Sequence, residues 1–450
     1  NRQVTYIRSG SEPVFELGNN SDLWFRYLND RLTGGQADLS VPFPWFGSRE
    51  LQVKAGGAMR KKVREFDASL ATFNLNNQSG LPNDIYTLPP HRLFTPDLIG
   101  DHLVLGFPGS VAQPYSADDQ VVAYYGMLDL PIFSWLRVVG GMRVETWSLD
   151  LYDGGRARFA GDSTLAPTSR RHTDPLWSAN ATITLGSNMN VRLAGFRSVA
   201  RPDTREMSRD EYTDLVGACP TVGNPALQRT TITNADARFE WYPGPGEIFS
   251  VSGFFKYFEQ PILRTVSGEG NCRFSFGNGV DATNVGAEVD IRKGLAFLPG
   301  PLTNLSVGLN AAYVRSKLTV DASQGVFRDE LPLEDQSPYL LNANLGWVDD
   351  RMGLDVSVLY NWFDDRINRY GFRGGGGPNA PQGPNIVERA RGTFDAKAQW
   401  RVRRRYTVTV SGRNLGDASW TFFQETTKGR ETTGYYRPGR TITVGVSYAR

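Results

Sequence analysis

Apolar residues in this chain recur at every second position. Leu305, Val307, Leu309, Ala311 and Tyr313 are interleaved with Asn304, Ser306, Gly308, Asn310 and Ala312. Ile442, Val444, Val446 and Tyr448 alternate with Thr441, Thr443, Gly445 and Ser447. Ala235, Ala237, Phe239 and Trp241 alternate with Asn234, Asp236, Arg238 and Glu240. A period of two marks a strand with two unlike faces, whereas an amphipathic helix repeats every three to four residues. About 15 such strands are predicted, near 24–43, 50–65, 118–131, 134–149, 175–186, 188–199, 230–243, 247–262, 282–293, 302–316, 337–348, 351–365, 391–402, 404–418 and 434–449. Residues 2–7 read as a strand stub.

The connections alternate between two sizes. Short turns fall at 42–49, 131–134, 186–189, 243–247, 295–302, 348–351 and 403–405; long loops fall at 66–117, 150–174, 200–229, 263–281, 317–336, 366–390 and 419–433. Short turns at one end and long loops at the other describe an up-and-down antiparallel barrel. A soluble sandwich also alternates, but its strands are usually about 5–6 residues long. Trp135, Trp177, Trp241, Trp347, Trp400, Tyr339, Tyr435 and Tyr448 sit near the ends of the apolar faces, as in the aromatic girdles of outer-membrane barrels. The expected fold is all-β: a transmembrane antiparallel up-and-down barrel with about 15–16 strands in this chain, occupying residues 1–450 as one region. Short turns then lie in the periplasm and long loops outside the cell. On that sidedness the strand at 24–43 runs downward. An upward partner is expected before it, from chain preceding Asn1 or in short form from residues 2–7.

Composition narrows the function. Length alone, 450 residues, would permit two or three soluble domains. The balance of 49 basic against 47 acidic residues gives a net charge of +2, which leaves no positive excess to neutralise nucleic-acid phosphates. No window holds enough uninterrupted apolar residues for a transmembrane helix. The chain opens at Asn1 with neither Met nor a leader, as expected of a mature chain or a fragment. Three histidines, His91, His102 and His172, are all predicted in long loops without ligand-like spacing, so neither a metal nor another cofactor is expected. Asp101 beside His102 and Asp174 near His172 could imitate catalytic pairs. There is no Gly-x-Ser-x-Gly, and enzymatic barrels of this type are small, so an enzyme is not expected. Gly374–Gly377 lack the Lys-Ser/Thr of a phosphate-binding loop and read as a loop tip. Arg403, Arg404 and Arg405 read as a solvated periplasmic turn.

Cys219 and Cys272 fall in the two long loops flanking one hairpin, in an oxidising compartment. A disulfide between them is predicted. It would close a loop of about 50 residues, worth roughly 4 kcal/mol in the chain-entropy picture.

Four segments carry a resemblance: "FRSVARPDTREMS" at 196–208, "GNPALQRTTITNADARFEWYPGPGEIFSVSGFFKYFEQPI" at 223–262, "RNLGDASW" at 413–420 and "GYYRPGRTITVGVSYAR" at 434–450. In order and spacing they resemble the C-terminal barrel of TonB-dependent outer-membrane receptors, in particular the long-loop type with a carboxypeptidase-regulatory-like N-terminal domain. The resemblance implies a 22-stranded barrel closed by an N-terminal plug. It also implies import of a scarce nutrient (siderophore, cobalamin, sugar or peptide), driven by TonB pulling on a TonB box. Within these 450 residues there is no plug-like or TonB-box segment, so the plug and TonB are expected as partners through a region outside the sequence.

Ligand contacts, where there are any, are expected from loop residues Tyr86, His91, Arg92, Phe94, Arg201, Arg205, Tyr212, Arg366, Tyr370, Phe372 and Arg373, because exposed aromatic and Arg side chains anchor recognition surfaces; packing of the loops on one another is the other reading of the same residues, and the favoured one. Arg192, Arg238, Glu240, Lys256, Glu288 and Asp290 are expected to face the lumen and, by the resemblance, the plug. Further expected partners are an unidentified small ligand, outer-membrane lipid or lipopolysaccharide, and an outer-membrane protein or lipoprotein. Two other readings remain at this point: a receptor-like barrel serving as a docking subunit of a larger assembly, and a passive porin.

Overall fold

The computed structural model describes residues 2–3, 21–47, 49–75, 92, 95–100, 103–106, 114–153, 167–209, 211–212, 220–266, 274–320, 331–370, 384–402 and 405–449. Fifteen strands form one antiparallel wall in which each pairs with its neighbours in sequence. They are β1 (Ser21–Pro44), β2 (Glu50–Leu75), β3 (Tyr115–Phe133), β4 (Leu136–Asp153), β5 (Thr168–Leu185), β6 (Met189–Ala200), β7 (Thr230–Trp241), β8 (Ile248–Glu259), β9 (Asp281–Gly294), β10 (Leu305–Thr319), β11 (Tyr339–Asp349), β12 (Leu354–Phe363), β13 (Arg391–Val402), β14 (Tyr406–Arg413) and β15 (Thr441–Tyr448). Arg2–Gln3 adds to β1 and Leu103–Gly106 to the upper end of β2. Among the described residues, the far edge of β1 has no other partner, and β15 pairs only with β14.

The register keeps the two faces of the wall distinct from end to end. On one face Val191 stands beside Phe239, Phe239 beside Val251, Val251 beside Val289 and Val289 beside Ala311. On the other Arg192 stands beside Arg238, Arg238 beside Ser252, Ser252 beside Glu288 and Glu288 beside Ala312. Large apolar side chains stay exposed along the first face, among them Leu193, Phe255, Leu345 and Val444. Such a surface is stable only against hydrocarbon. The polar face is the lumen.

Close packing on the lumen face needs small residues at particular points. Asp38, Gly56 and Tyr125 stand abreast on β1, β2 and β3. A Cβ at Gly56 would lie 2.6 Å from Cε1 of Tyr125. The glycine lets the phenol lie across β2, where its hydroxyl donates to the Asp38 carboxylate.

Several predicted boundaries are corrected. The strands at 118–131, 134–149 and 175–186 extend to 115–133, 136–153 and 168–185, so the wall reaches further into the loops than the apolar pattern suggests. His172 therefore stands in β5, its ring stacked on Trp147 at 6.0 Å, and is not in a loop. The strand predicted at 404–418 stops at Arg413, where Asn414 and Asp417 adopt positive φ of 51° and 54° and turn the backbone off the ladder. The last wall strand begins at Thr441 and not at 434. Residues predicted as the loop 419–433 form a hairpin, Trp420–Thr426 with Gly429–Tyr436. That hairpin joins Arg366–Arg369 and Ile386–Glu388 in a separate four-stranded sheet. Tyr435 belongs to this sheet and not to the girdle.

Candidate functional site on the lumen face

The loop that follows β6 folds inward over the upper lumen wall. Met207 and Leu227, both fully buried, pack with Tyr115, Ala117, Val121, Trp147, Leu149 and Leu151, which are lumen-face residues of β3 and β4. The fold of the loop is set by α1 (Thr204–Met207), a single helical turn with a capping box: the Asp203 side chain accepts from the Arg205 amide at 3.0 Å, and Glu206 accepts from the Asp203 amide at 2.8 Å. Arg64 of β2 ties this turn to the wall. Its Nε and Nη2 donate to the two oxygens of Asp30, and its Nη1 donates to Asp203 Oδ1 at 3.2 Å and Thr204 Oγ1 at 3.1 Å.

Below α1 lies a charged clasp. Asp174 is almost fully buried and accepts from Arg229 Nε at 2.5 Å and Arg201 Nη2 at 3.3 Å. Arg201 Nη2 also donates to Glu145 Oε2 at 2.8 Å, and Arg143 Nε donates to Glu145 Oε1 at 2.7 Å. The clasp joins β4, β5 and both ends of the 201–229 loop. Beside it a recess of about 450 Å³ is lined by Gly34, Gln36, Arg60, Arg143, Glu145 and Arg201, among others. Three guanidinium groups face one carboxylate there, so the recess is electropositive. Arg60 has no hydrogen-bond or ion-pair partner among the described residues, and neither does the buried Nε of Arg201.

A second charged centre lies nearer the periplasmic end. Glu240 Oε2 accepts from Arg192 Nε at 2.8 Å and from the Tyr242 hydroxyl at 2.9 Å, while Oε1 accepts from Arg238 Nε at 3.0 Å. Arg238 also reaches Asp290 at 3.7 Å. Lys256 Nζ donates to Asn234 Oδ1 at 3.1 Å. Glu288 stands on the same face, opposite Ser252. All six residues expected in the lumen are therefore on the polar face, and four of them, Arg192, Arg238, Glu240 and Asp290, form one network.

The expected ligand anchors divide. Tyr86, His91, Phe94, Phe372 and Arg373 lie outside the described residues, as do Cys219 and Cys272; Arg92 is exposed. Arg201 lines the recess. The others serve loop packing. Tyr212 is buried beneath the Arg205 guanidinium, 3.4 Å from its ring centre. Arg366 donates to Glu388 Oε2 through Nε at 2.8 Å and Nη2 at 2.7 Å. Tyr370, expected at the surface, is 3% exposed, because its ring packs with Leu263, Leu318, Val320 and Leu331 and its hydroxyl donates to the Pro332 carbonyl at 2.9 Å.

Next to Tyr370 sits Glu334, whose Oε2 accepts from the Arg264 amide at 3.3 Å. Burial pushes its carboxyl up to about 7, against the opposing pull of the Arg264 guanidinium, with Asp335 adding repulsion. A carboxyl raised in the folded loop favours that loop when protonated. The contribution is complete below its unfolded value near 4.5 and is lost as pH rises through about 7. The protection factors against amide exchange at Leu331–Gln336 and Tyr370, taken relative to the unfolded rate at each pH, should therefore fall between about pH 5 and pH 8. Glu334→Gln should flatten that dependence; an unchanged profile in the variant would assign it to another group.

Sequence reasoning missed Arg60, Arg64, Arg143, Glu145 and Arg229. Arg143 and Glu145 alternate with Met142 and Val144 in a predicted strand, so their face was readable. The contribution of Arg229 depends on how the loop returns.

The β-barrel model of the "TonB dependent receptor-like" family matches residues 3–415. No curated protein matches the sequence. Among solved structures, the chain resembles the copper transporter OprC at 15% identity and TM-score 0.61, over 94% of this chain and 57% of that one. It resembles the ferric citrate transporter FecA, in its unliganded form, at 12% identity and TM-score 0.59, over 96% of this chain and 56% of that one. The ferripyoverdine receptor of the Pseudomonas aeruginosa outer membrane, bound to ferripyoverdine, gives 13% identity and TM-score 0.60, over 98% and 51%. The chain thus spans a little over half the length of the structures it matches, and at these identities the likeness is one of fold. With the family model matching most of its length, the chain belongs to the β-barrel family of TonB-dependent receptors, proteins of the outer membrane.

Proposed function

We propose that this chain forms the wall and loop platform of an importer. The loops capture a ligand outside the cell, a plug domain transmits its presence, and TonB supplies the work of moving the plug. The family match over residues 3–415 carries this reading. The electropositive recess at Arg60, Arg143 and Arg201 suits an anionic ligand. The neighbours named as transporters or receptors of copper, ferric citrate and ferripyoverdine make a negatively charged metal chelate the class of first choice. The Glu240 network and Lys256 and Glu288 offer charged contacts to a plug. Among the described residues the edge of β15 and, beyond Arg2–Gln3, the edge of β1 are open, which suits additional wall strands, up to the 22 of the family pattern.

The test is uptake in whole cells. Cells producing the protein should bind and accumulate a ferric or cupric chelate, and loss of TonB should abolish accumulation while sparing binding. Accumulation that persists without TonB would overturn the importer. The open edge of β15 favours one second reading, a docking subunit; a stoichiometric co-purifying protein with no uptake in either strain would select it. A peptide map of the purified protein, run without reductant, also tests the proposed Cys219–Cys272 disulfide. The described residues beside the two cysteines support that pairing, since the Phe274 amide donates to the Pro220 carbonyl at 2.8 Å.

A further inference from the structure

The lumen face divides into a charged part and a neutral part. Strands β7 to β9 place Asp236, Arg238, Glu240, Lys256, Glu288 and Asp290 on it. On β10 to β12 the same face carries Ser306, Gly308, Asn310 and Ala312, then Leu340, Asn342, Asn344 and Gly346, then Ser357, Leu359, Asn361 and Phe363. Among the described residues of these three strands, only Asp355 at the periplasmic end adds a charge to that face.

One row crosses the boundary. Asp290, Asn310, Asn342 and Asn361 stand abreast on β9, β10, β11 and β12. The Asn361 side-chain amide donates to Asn342 Oδ1, and the Asn342 side-chain amide donates to Asn310 Oδ1 at 3.4 Å. In the next row Asn344 stands beside Gly308 and Leu359. These residues line a recess of about 750 Å³ that reaches down to the turn at Gly244–Glu247. The charges at its margin are paired: Lys293 Nζ donates to Glu247 Oε2 at 2.6 Å, and Arg292 lies 3.8 Å from Asp290. Asn342, Asn344, Leu359 and Asn361 are exposed to the lumen.

A charge-assisted hydrogen bond is roughly twice as strong as a neutral one. An amide that exchanges a protein partner for water loses little, because water replaces the bond. A domain filling the lumen is therefore held more firmly at β7 to β9 than at β10 to β12. We propose that the plug parts from the wall along β10 to β12, and that solute crosses in the gap opened there. Rows of amides offer a passing solute weak contacts at successive positions, which favours exit over capture. The inference rests on the importer reading in one respect, that a plug fills the lumen.

The test is single-channel current through the full-length protein in a planar bilayer, with the plug loosened by urea below the concentration that unfolds the barrel. Heat-modifiable gel migration reports that the barrel of each variant is folded. Asn342→Cys and Asn361→Cys are modified with a methanethiosulfonate that adds a trimethylammonium group. The current through each should fall to about half, because the added group narrows the gap. Ser252→Cys, between Arg238 and Glu288, should leave the current unchanged after the same treatment. Wild-type protein treated alike sets the background from Cys219 and Cys272. Equal or stronger block at Ser252→Cys would overturn the proposal. So would the absence of current in urea, since the amide side would then hold as firmly as the charged side. A pore already open without urea would mean that no plug fills the lumen, and would remove the importer reading as well. TonB-dependent uptake together with block at Ser252→Cys alone would overturn the parting side and leave the importer standing.

Discussion

Asp174→Ala is expected to destabilise the upper lumen by about 3 kcal/mol, at the lower end of the cost of breaking a buried ion pair, because Arg229 retains some solvent contact. The carboxylate is 2% exposed and is the acceptor shared by Arg229 and Arg201. Its removal leaves two partly buried guanidinium groups facing each other without the carboxylate between them. Arg201 keeps Glu145, so Arg229 bears most of the loss. Stability can be followed by the temperature at which the folded barrel loses its fast gel migration. In a double-mutant cycle, Arg229→Ala should add little once Asp174 is gone. Strictly additive effects of the two substitutions would mean that the contact carries no coupling energy.

The second large effect is expected at Gly223. A Cβ there would sit 2.1 Å from the Ser208 carbonyl oxygen and within 3 Å of the carbonyls of Arg205 and Glu206. These are backbone atoms of α1 and its C-cap, so no rotamer change relieves the clash. The neighbouring Asn224 amide donates to the Glu206 carbonyl at 2.7 Å, which holds the two chain segments at this distance. Gly223→Ala should therefore lift α1 from the wall, at a cost of about 3 kcal/mol, the upper range for overpacking. The wall would remain paired, since its strands hold one another. Proteolysis should become rapid within 201–229 while the barrel core persists. Wild-type protease resistance in the variant would show that the loop accommodates the methyl group.

How much of this was legible depends on where the information resides. The wall was readable because alternation is local: Val285, Ala287, Val289 and Ile291 name their face without reference to any other strand. The six lumen residues followed from the same period. The loop structures did not, because their order comes from contacts between distant segments. Nothing near Tyr370 announces that its hydroxyl will meet Pro332, or that Leu263 and Leu331 will close over its ring. Asp174 was visible only as a neighbour of His172; its role appears once β5 extends upward and the 201–229 loop brings two arginines to it. The hairpin at 420–436 was hidden for a different reason. Its strands lack the apolar alternation of wall strands: Phe422 and Phe423 are adjacent and no large apolar residue falls between positions 429 and 434, while the backbone turns at Asn414, Asp417 and Gly439 take the segment off the ladder.

The separate sheet formed by that hairpin gives the mouth of the barrel two unequal sides. Around β1 to β5 each strand runs without a break from the turn end to the loop end, so bending the rim there means bending the wall. Above β12 to β15 the upper sheet is joined to the wall by short single-chain crossings, such as Asp364–Asp365, Arg389–Ala390 and 437–440. Crossings of this kind deform at far less cost than hydrogen-bonded ladders. The crossings are tied at single points, Asp364 to the Tyr339 carbonyl and Ala390 to the Asp365 carboxylate, so a load on the rim there passes through a few hydrogen bonds, whereas around β1 to β5 it is spread along whole ladders.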